Sequence, residues 1–327
     1  MSENSKIEWT DHTFNPWEGC QKVGPGCDNC YAETRNARFA GGTSINWGPG
    51  APRRRTSAAN WRKPVAWNKD HAEFFAQHGR RQRVFCASLA DVFDNEVDWQ
   101  WRRDLFDLIE LTPNLDWLLL TKRIGNVMRM LPTHDWAARS NVWIGATICN
   151  QAEADRDIPK LLALKAHRRF LSMEPLLGPV DLTRIDLDGH SEIYPLAGTS
   201  GCEDRDGNPA PDVPALGWVI VGGESGPGAR PMHPDWARSL RDQCQAAEVP
   251  FLFKQWGEWA QAQIQSAETP GRYALAPCTY DGPIVQIDRY PRKFSAFGST
   301  ILERVGKKAA GRLLDGRTWD EFPGRAS

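Results

Sequence analysis

Six short apolar runs recur through the middle of the chain: Val84-Phe-Cys-Ala87, Trp117-Leu-Leu-Leu120, Val142-Trp-Ile-Gly-Ala146, Phe170-Leu-Ser-Met173, Trp218-Val-Ile-Val221 and Pro250-Phe-Leu-Phe253. They are rich in β-branched and aromatic types. Continuous apolar runs of this length suit strands buried on both faces, as in a parallel sheet covered by helices.

Helical patterns lie between the runs. Glu96–Leu111 would place Val97, Trp101, Leu105, Leu108 and Ile109 on one stripe, with Asp94 or Asn95 as N-cap. Asn150–Lys165 opens on a capping Asn and carries Ile158, Leu161 and Leu162. His233-Pro234 opens a third helix with Pro at its first position, followed by Trp236, Leu240 and Cys244. A first strand within Lys6–Trp17 and a helix over Tyr31–Phe39 complete the series.

The expected fold class is α/β: a partial β/α barrel of TIM type with mostly parallel strands. An open doubly wound sheet is the alternative. Irregular insertions are expected at 41–70 and 184–216, and the β-α rhythm fades after Trp256. The division is therefore a barrel over 1–257 and a C-terminal extension over 258–327 packed on it. In that extension, Lys307-Lys-Ala-Ala-Gly-Arg312 reads as a basic helix ending near Gly316.

Charged residues make up 25% and hydrophobic ones 41%, an ordinary balance for a globular protein and not for a disordered one. The net charge of −1 sets up no global field toward nucleic acid or membrane, so any such partner needs a local patch. The N-terminal residues show no charged-then-apolar signal pattern, and no apolar run reaches about 18 residues. A cytoplasmic protein with no membrane partner is expected.

A reducing compartment disfavours a disulfide framework for the eight cysteines. Three of them crowd into Cys20-Gln-Lys-Val-Gly-Pro-Gly-Cys27-Asp-Asn-Cys30, directly before Tyr31. Thiolates favour zinc or iron–sulfur clusters. A structural zinc site uses four protein ligands, usually in two pairs. Here Cys27 and Cys30 form the single pair; His12 is the candidate for a fourth ligand beside Cys20. A [4Fe–4S] cluster needs one ligand per iron, so three cysteines leave one iron open to a small molecule.

In parallel α/β folds, ligands bind at the carboxyl ends of the strands. Those ends carry Ser88 and Asp91, Thr121-Lys122-Arg123, Thr147 and Cys149, Glu174, Gly222-Gly223-Glu224, and Lys254-Gln255. Such residues also occur simply because loops are wet. A Glu directly after a buried strand is costly without a cation or hydrogen-bond partner, which singles out Glu174 and Glu224.

Closely spaced cysteines after the first strand of an α/β barrel, closing on C-x2-C with an aromatic neighbour, resemble the radical S-adenosylmethionine superfamily. The usual spacing there is C-x3-C-x2-C, and this chain has C-x6-C-x2-C. Over most of its length the chain more closely resembles an uncharacterised radical-SAM-like, three-Cys-motif family of phages and bacteria. The matching stretches are Trp9–Trp17, the cysteine loop, Phe170-Leu-Ser-Met-Glu-Pro175, Val221-Gly-Gly-Glu-Ser225 and Lys307–Arg312.

The resemblance implies a [4Fe–4S] cluster on Cys20, Cys27 and Cys30, with S-adenosylmethionine chelated to the open iron. It implies an enzyme in which an electron, from a reductant such as flavodoxin or ferredoxin, cleaves the sulfonium to a 5′-deoxyadenosyl radical that takes hydrogen from a substrate. Tyr31 would lie near the adenine or the cluster. The superfamily's Gly-Gly-Glu motif, which binds the methionine amino group, follows its second strand, whereas Gly222-Gly223-Glu224 comes far later. Ser88, Thr147 and Glu174 are alternative cofactor contacts by position, alongside Lys122 and Glu224. Cys149 is the candidate hydrogen donor to a substrate radical. No second cluster is expected from Cys86, Cys149, Cys202, Cys244 and Cys278.

Arg53, Arg54, Arg55, Arg62 and Lys63 interleave with Trp47, Trp61 and Trp67. Basic groups neutralise phosphates while tryptophans stack on bases, so a nucleic-acid or nucleotide substrate is one reading. A solvated loop pinned by tryptophans is the other. A zinc-stabilised adaptor without catalysis is the alternative function. A plain metal-dependent hydrolase is disfavoured, since the seven histidines form neither H-x-H nor H-E-x-x-H.

Overall fold

The computed structural model describes residues 5–201, 213–262, 270–276, 285–289 and 300–324. Its centre is a seven-stranded sheet: β1 (His12–Thr13), β2 (Gln82–Cys86), β3 (Leu115–Thr121), β4 (Val142–Thr147), β5 (Arg168–Met173), β6 (Val219–Gly222) and β7 (Phe251–Gln255). Every neighbouring pair is parallel, and spatial order follows chain order. Right-handed crossovers that always step in one direction put all helices on one face and coil the sheet. The result is a partial β/α barrel; a doubly wound sheet, whose strand order reverses, is excluded.

The main helices between the strands are α1 (Tyr31–Phe39), α2 (Trp99–Leu111), α3 (Ile124–Met130), α4 (Gln151–Leu162) and α5 (Pro234–Ala246), with shorter ones at Ala58–Trp61, Lys63–Lys69, His71–His78 and Lys307–Ala310. Caps fix their starts. Asn150 accepts from Glu153 N, as the sequence leads one to expect, and the His233 ring caps α5 by accepting from Asp235 N ahead of the expected Pro234. The cap of α2 is Asp98, accepting from Gln100 N, and not Asp94 or Asn95. Asp94 lies instead in the interior, paired to Arg53.

Strand residues alternate between two cores. Val84, Trp117, Leu119, Ile144, Leu171, Val219, Val221 and Phe253 face the helices. Phe85, Leu118, Trp143, Phe170, Trp218, Ile220 and Leu252 fill the inner face with Trp9. Gly145 makes this inner packing possible: a Cβ there would stand 2.3 Å from Phe170 Cζ.

β1 and β7 do not pair, so the barrel is open. The chain's tail covers the β7 edge: Phe253 N donates to Trp319 O and Glu321 N to Phe251 O. Phe322 then packs on Trp218 and Arg83 at the base.

Two expectations need correction. Residues 41–70 are not irregular throughout: Arg54–Arg55 pairs with Trp17–Glu18, and helices cover Ala58–Trp61 and Lys63–Lys69. Ser57 capping Asn60 N and the burial of Pro64 and Trp67 explain them. The basic helix of the extension spans only Lys307–Ala310, because Gly311 takes φ 69° and ends it. The 184–216 insertion carries three short antiparallel strands; Asp204–Pro209, Cys202 and Cys278 lie outside the described residues. Beyond Trp256 the chain forms an antiparallel four-stranded sheet. Among the described residues, no helix is long and apolar enough to cross a membrane.

Candidate active site

A cavity of about 510 Å³ opens at the carboxyl ends of the parallel strands. Cys20, Cys27, Cys30, Tyr31, Ser88, Lys122, Thr147, Glu174 and Glu224 all line it. Residues spread from the first to the sixth strand thus meet in one space. Trp9, Phe85 and Leu120 supply apolar wall. Cys149 does not line the cavity: it is fully buried, and its sulfur would lie 2.3 Å from a Cβ on Gly26. The hydrogen-donor candidate is therefore packed against the cysteine loop.

The loop is fixed from several sides. Gly19, at φ 114°, lets the chain pass close to Asn46, whose carbonyl would lie 2.6 Å from a Cβ. Cys20 then runs beside Trp47, and Gly48 N donates to Cys20 O at 2.9 Å. A 3-10 turn over Pro25–Cys27 and the start of α1 set Cys27 and Cys30.

Glu224 is the main strut. Its carboxylate accepts from Arg230 Nη2 at 2.6 Å, from Arg230 Nε and N at 2.8 Å, and from Asn29 Nδ2 at 3.0 Å. Burial pushes its pKa up, but the Arg230 hydrogen bonds outweigh this and hold it below the usual carboxylate range. Arg230 reaches on to Pro25 O at 2.8 Å and Asp28 Oδ2 at 3.0 Å. Glu224 therefore spends its oxygens on holding the loop.

Cys20 sits against Arg123, whose Nη1 is 3.4 Å from its sulfur. Arg123 also pairs with Asp91 at 3.2 Å and donates to Gln21 O at 2.9 Å. Burial, with Asp91 adding to it, pushes the Cys20 thiol up to about 11 against the pull of Arg123. Burial also raises Cys30. Burial thus favours the protonated thiol at both positions, and a metal would displace those protons on binding.

Glu174 pairs with Lys254, at 3.0 and 3.2 Å to its two oxygens. Gly222 leaves room for it, since a Cβ there would stand 2.4 Å from Glu174 Oε1. The Tyr31 hydroxyl donates to Ser88 O at 2.6 Å, which tethers a ring that is 58% exposed. Thr147 Oγ1 lies 3.5 Å from Lys122 Nζ. Burial works against the charge on Lys122, but Cys27, Cys149 and Cys30 outweigh it and raise its pKa.

The donor set is chemically suited to an iron–sulfur core: three thiols, with Asp91, Glu174 and Glu224 each already paired to a cation. Among the described residues, no three Cys, His, Asp or Glu side chains gather tightly enough to grip a single metal ion as they stand. A zinc ion would need its thiolates about 2.3 Å from one point. His12 stacks on Trp67 at 4.1 Å and does not line the cavity.

The basic stretch is only partly at the surface. The Arg53 side chain is 1% exposed and locked to Asp94 at 2.8 Å, and Trp67 is buried. Arg54 pairs with Glu18, and Arg55 pairs with Asp104 and covers Trp61. Arg62 is exposed, Lys63 is half-buried, and Trp47 lines the cavity.

Sequence reasoning missed Arg230, Asn29 and the Arg123–Cys20 contact. Each joins loops far apart in the chain, and no local pattern marks such pairs. The Lys254–Glu174 pair was half visible, as two polar residues at strand ends.

Residues 4–323 match the family model described as "Protein of unknown function (DUF5131)", and the chain belongs to that family. No curated protein matches the chain, and no solved structure does.

Proposed function

We propose that this chain is a cytoplasmic iron–sulfur enzyme of the radical S-adenosylmethionine type, acting on a nucleic acid or nucleotide. The observation that carries the reading is the meeting of Cys20, Cys27 and Cys30 on one cavity at the carboxyl end of a parallel sheet. Those three thiols would hold the cluster. When bound, a [4Fe–4S] cluster with one iron free of protein ligands supplies the electron for reductive cleavage of S-adenosylmethionine.

The chain's own residues then have distinct tasks. Arg230, held by Glu224, keeps the Pro25–Asn29 segment in place, and Arg123 orients Cys20. Glu174 and Lys254 offer adjacent charges of opposite sign, which suit the zwitterionic end of an amino acid. Tyr31 presents a tethered aromatic face for a planar ring. Trp9, Phe85 and Leu120 exclude water from one wall, which protects a reactive species. A low-potential reductant such as flavodoxin or ferredoxin supplies the electron.

Trp47 in the cavity wall, with Arg62 and Lys63 in the same stretch of chain, supports the nucleic-acid part. The test is anaerobic reconstitution with iron and sulfide, then reduction in the presence of S-adenosylmethionine. Cysteine-dependent 5′-deoxyadenosine supports the reading. One zinc per chain, with neither iron nor sulfide, would select a zinc-stabilised adaptor instead.

A further inference from the structure

Lys122 is a cation of the cavity that lies against the cysteine loop with, among the described residues, no carboxylate within ion-pair distance. Lys254 is paired with Glu174, Arg123 with Asp91, and Arg230 with Glu224. Lys122 follows Thr121 at the end of β3 and is half-buried. Among the described residues, no carboxylate lies within ion-pair distance of its ammonium. Its hydrogen-bond partner is Thr147 Oγ1 at 3.5 Å. Asp91 is nearby, but its Oδ2 accepts from the Lys122 backbone N at 3.0 Å and from Arg123 at 3.2 Å, and its Oδ1 from Thr121 at 2.7 Å.

The Lys122 side chain runs beside the cysteine loop. A Cβ on Gly26 would stand 3.5 Å from Lys122 Cε and 2.3 Å from Cys149 Sγ. Gly26 is the residue before Cys27, so the lysine stem runs directly under the cysteine loop. Once ionised, Cys27, Cys149 and Cys30 are the groups that act on its charge most strongly. A cation taken partly out of water without an anion is costly, and is retained where an anion forms in use.

We propose that Lys122 is the built-in counter-charge of the thiolate site: it offsets the negative charge of the loaded centre and makes the uptake of one further electron easier. The inference rests on the reading given under Proposed function. One electron arriving from an external reductant adds one negative charge and moves no proton. A fixed positive charge beside it favours the reduced state, and more so where water is partly excluded. Lys122 is thus a positioning and electrostatic residue, acting through its charge and not by contact with substrate.

The test compares reconstituted wild type, Lys122→Met, Lys122→Arg and Thr147→Val in the absence of S-adenosylmethionine. Iron and sulfide are measured per chain, and the midpoint potential is found by dithionite titration. Lys122→Met is expected to carry the same iron and sulfide as wild type but to reduce at a more negative potential. Lys122→Arg is expected to stay near wild type. Thr147→Val, which keeps the lysine but frees its ammonium, is expected to shift the same way by less, and it serves as the readout if Lys122→Met does not fold. Equal potentials in wild type, Lys122→Met and Thr147→Val overturn the inference while leaving the radical-enzyme reading intact. A wild type that takes up no iron and sulfide overturns both.

Discussion

Arg230 grips both carboxylate oxygens of Glu224, at 2.6 and 2.8 Å, and passes the hold on to Pro25 and Asp28 in the cysteine loop. A residue in the loop after β6 thereby fixes a segment near the start of the chain. Replacing Arg230 by Met leaves Glu224 half-paired at a buried position. Loss of a charge-assisted pair of this kind costs about 1–3 kcal/mol. The expected outcome is a lower Tm together with faster alkylation of Cys27 and Cys30. Unchanged alkylation would show that the loop stands without this strut.

The same carboxylate gives a pH dependence. Arg80 holds Asp11 bidentately at 2.6 and 2.9 Å. Burial raises Asp11, but the hydrogen bonds of Arg80 and of the Arg83 backbone bring it below its ordinary value, and Glu224 is likewise depressed. A carboxylate depressed in the folded state contributes stability above its unfolded pKa. That contribution is lost as pH falls through the folded pKa. Stability measured in urea is therefore expected to be level near neutrality and to decline below about pH 4. The Glu224→Gln, Asp11→Asn double variant should lose less on acidification than wild type; an equal loss would assign the decline to other groups.

The inner packing predicts a second stability effect. Gly145 has no room for a side chain beside Phe170. Gly145→Ala is expected to destabilise by about 1–3 kcal/mol through overpacking. Adding Phe170→Leu should recover part of the loss, whereas additive losses in the double variant would contradict the packing account. Thermal melts of the three variants provide the comparison.

For nucleic acid, the structure separates two kinds of arginine. Arg53→Met breaks a buried pair with Asp94, and such losses are about 3–5 kcal/mol. Its effect should therefore be on folding. Arg62→Ala and Lys63→Ala should leave the unfolding free energy within about 0.5 kcal/mol of wild type. Their expected effect is weaker, less salt-dependent binding of single-stranded DNA or RNA. No binding by wild type even at low salt would remove the nucleic-acid reading.

The strands and longer helices were legible because buried parallel strands read as unbroken apolar runs and because Asn150 and Pro234 are local helix-start signals. The cavity set was legible because strand ends in such a sheet converge. Asp94 misled as a cap, since its real partners, Arg53 and Arg123, are remote in sequence. Arg53 misled for the same reason: a run of three arginines reads as surface, and nothing local shows that the first turns inward. Helices within 41–70 were hidden because they are short and rest on tertiary burial of Pro64 and Trp67.

The central claim is that Cys20, Cys27 and Cys30 build a redox centre that cleaves S-adenosylmethionine. It is tested most directly by anaerobic reconstitution, dithionite reduction and chromatographic measurement of 5′-deoxyadenosine. Wild type is expected to form it, and the Cys20→Ala, Cys27→Ala, Cys30→Ala variant is expected to bind no cluster and form none. A triple variant that takes up the same cluster, or an iron-loaded, reducible wild type that forms no 5′-deoxyadenosine, would contradict the account.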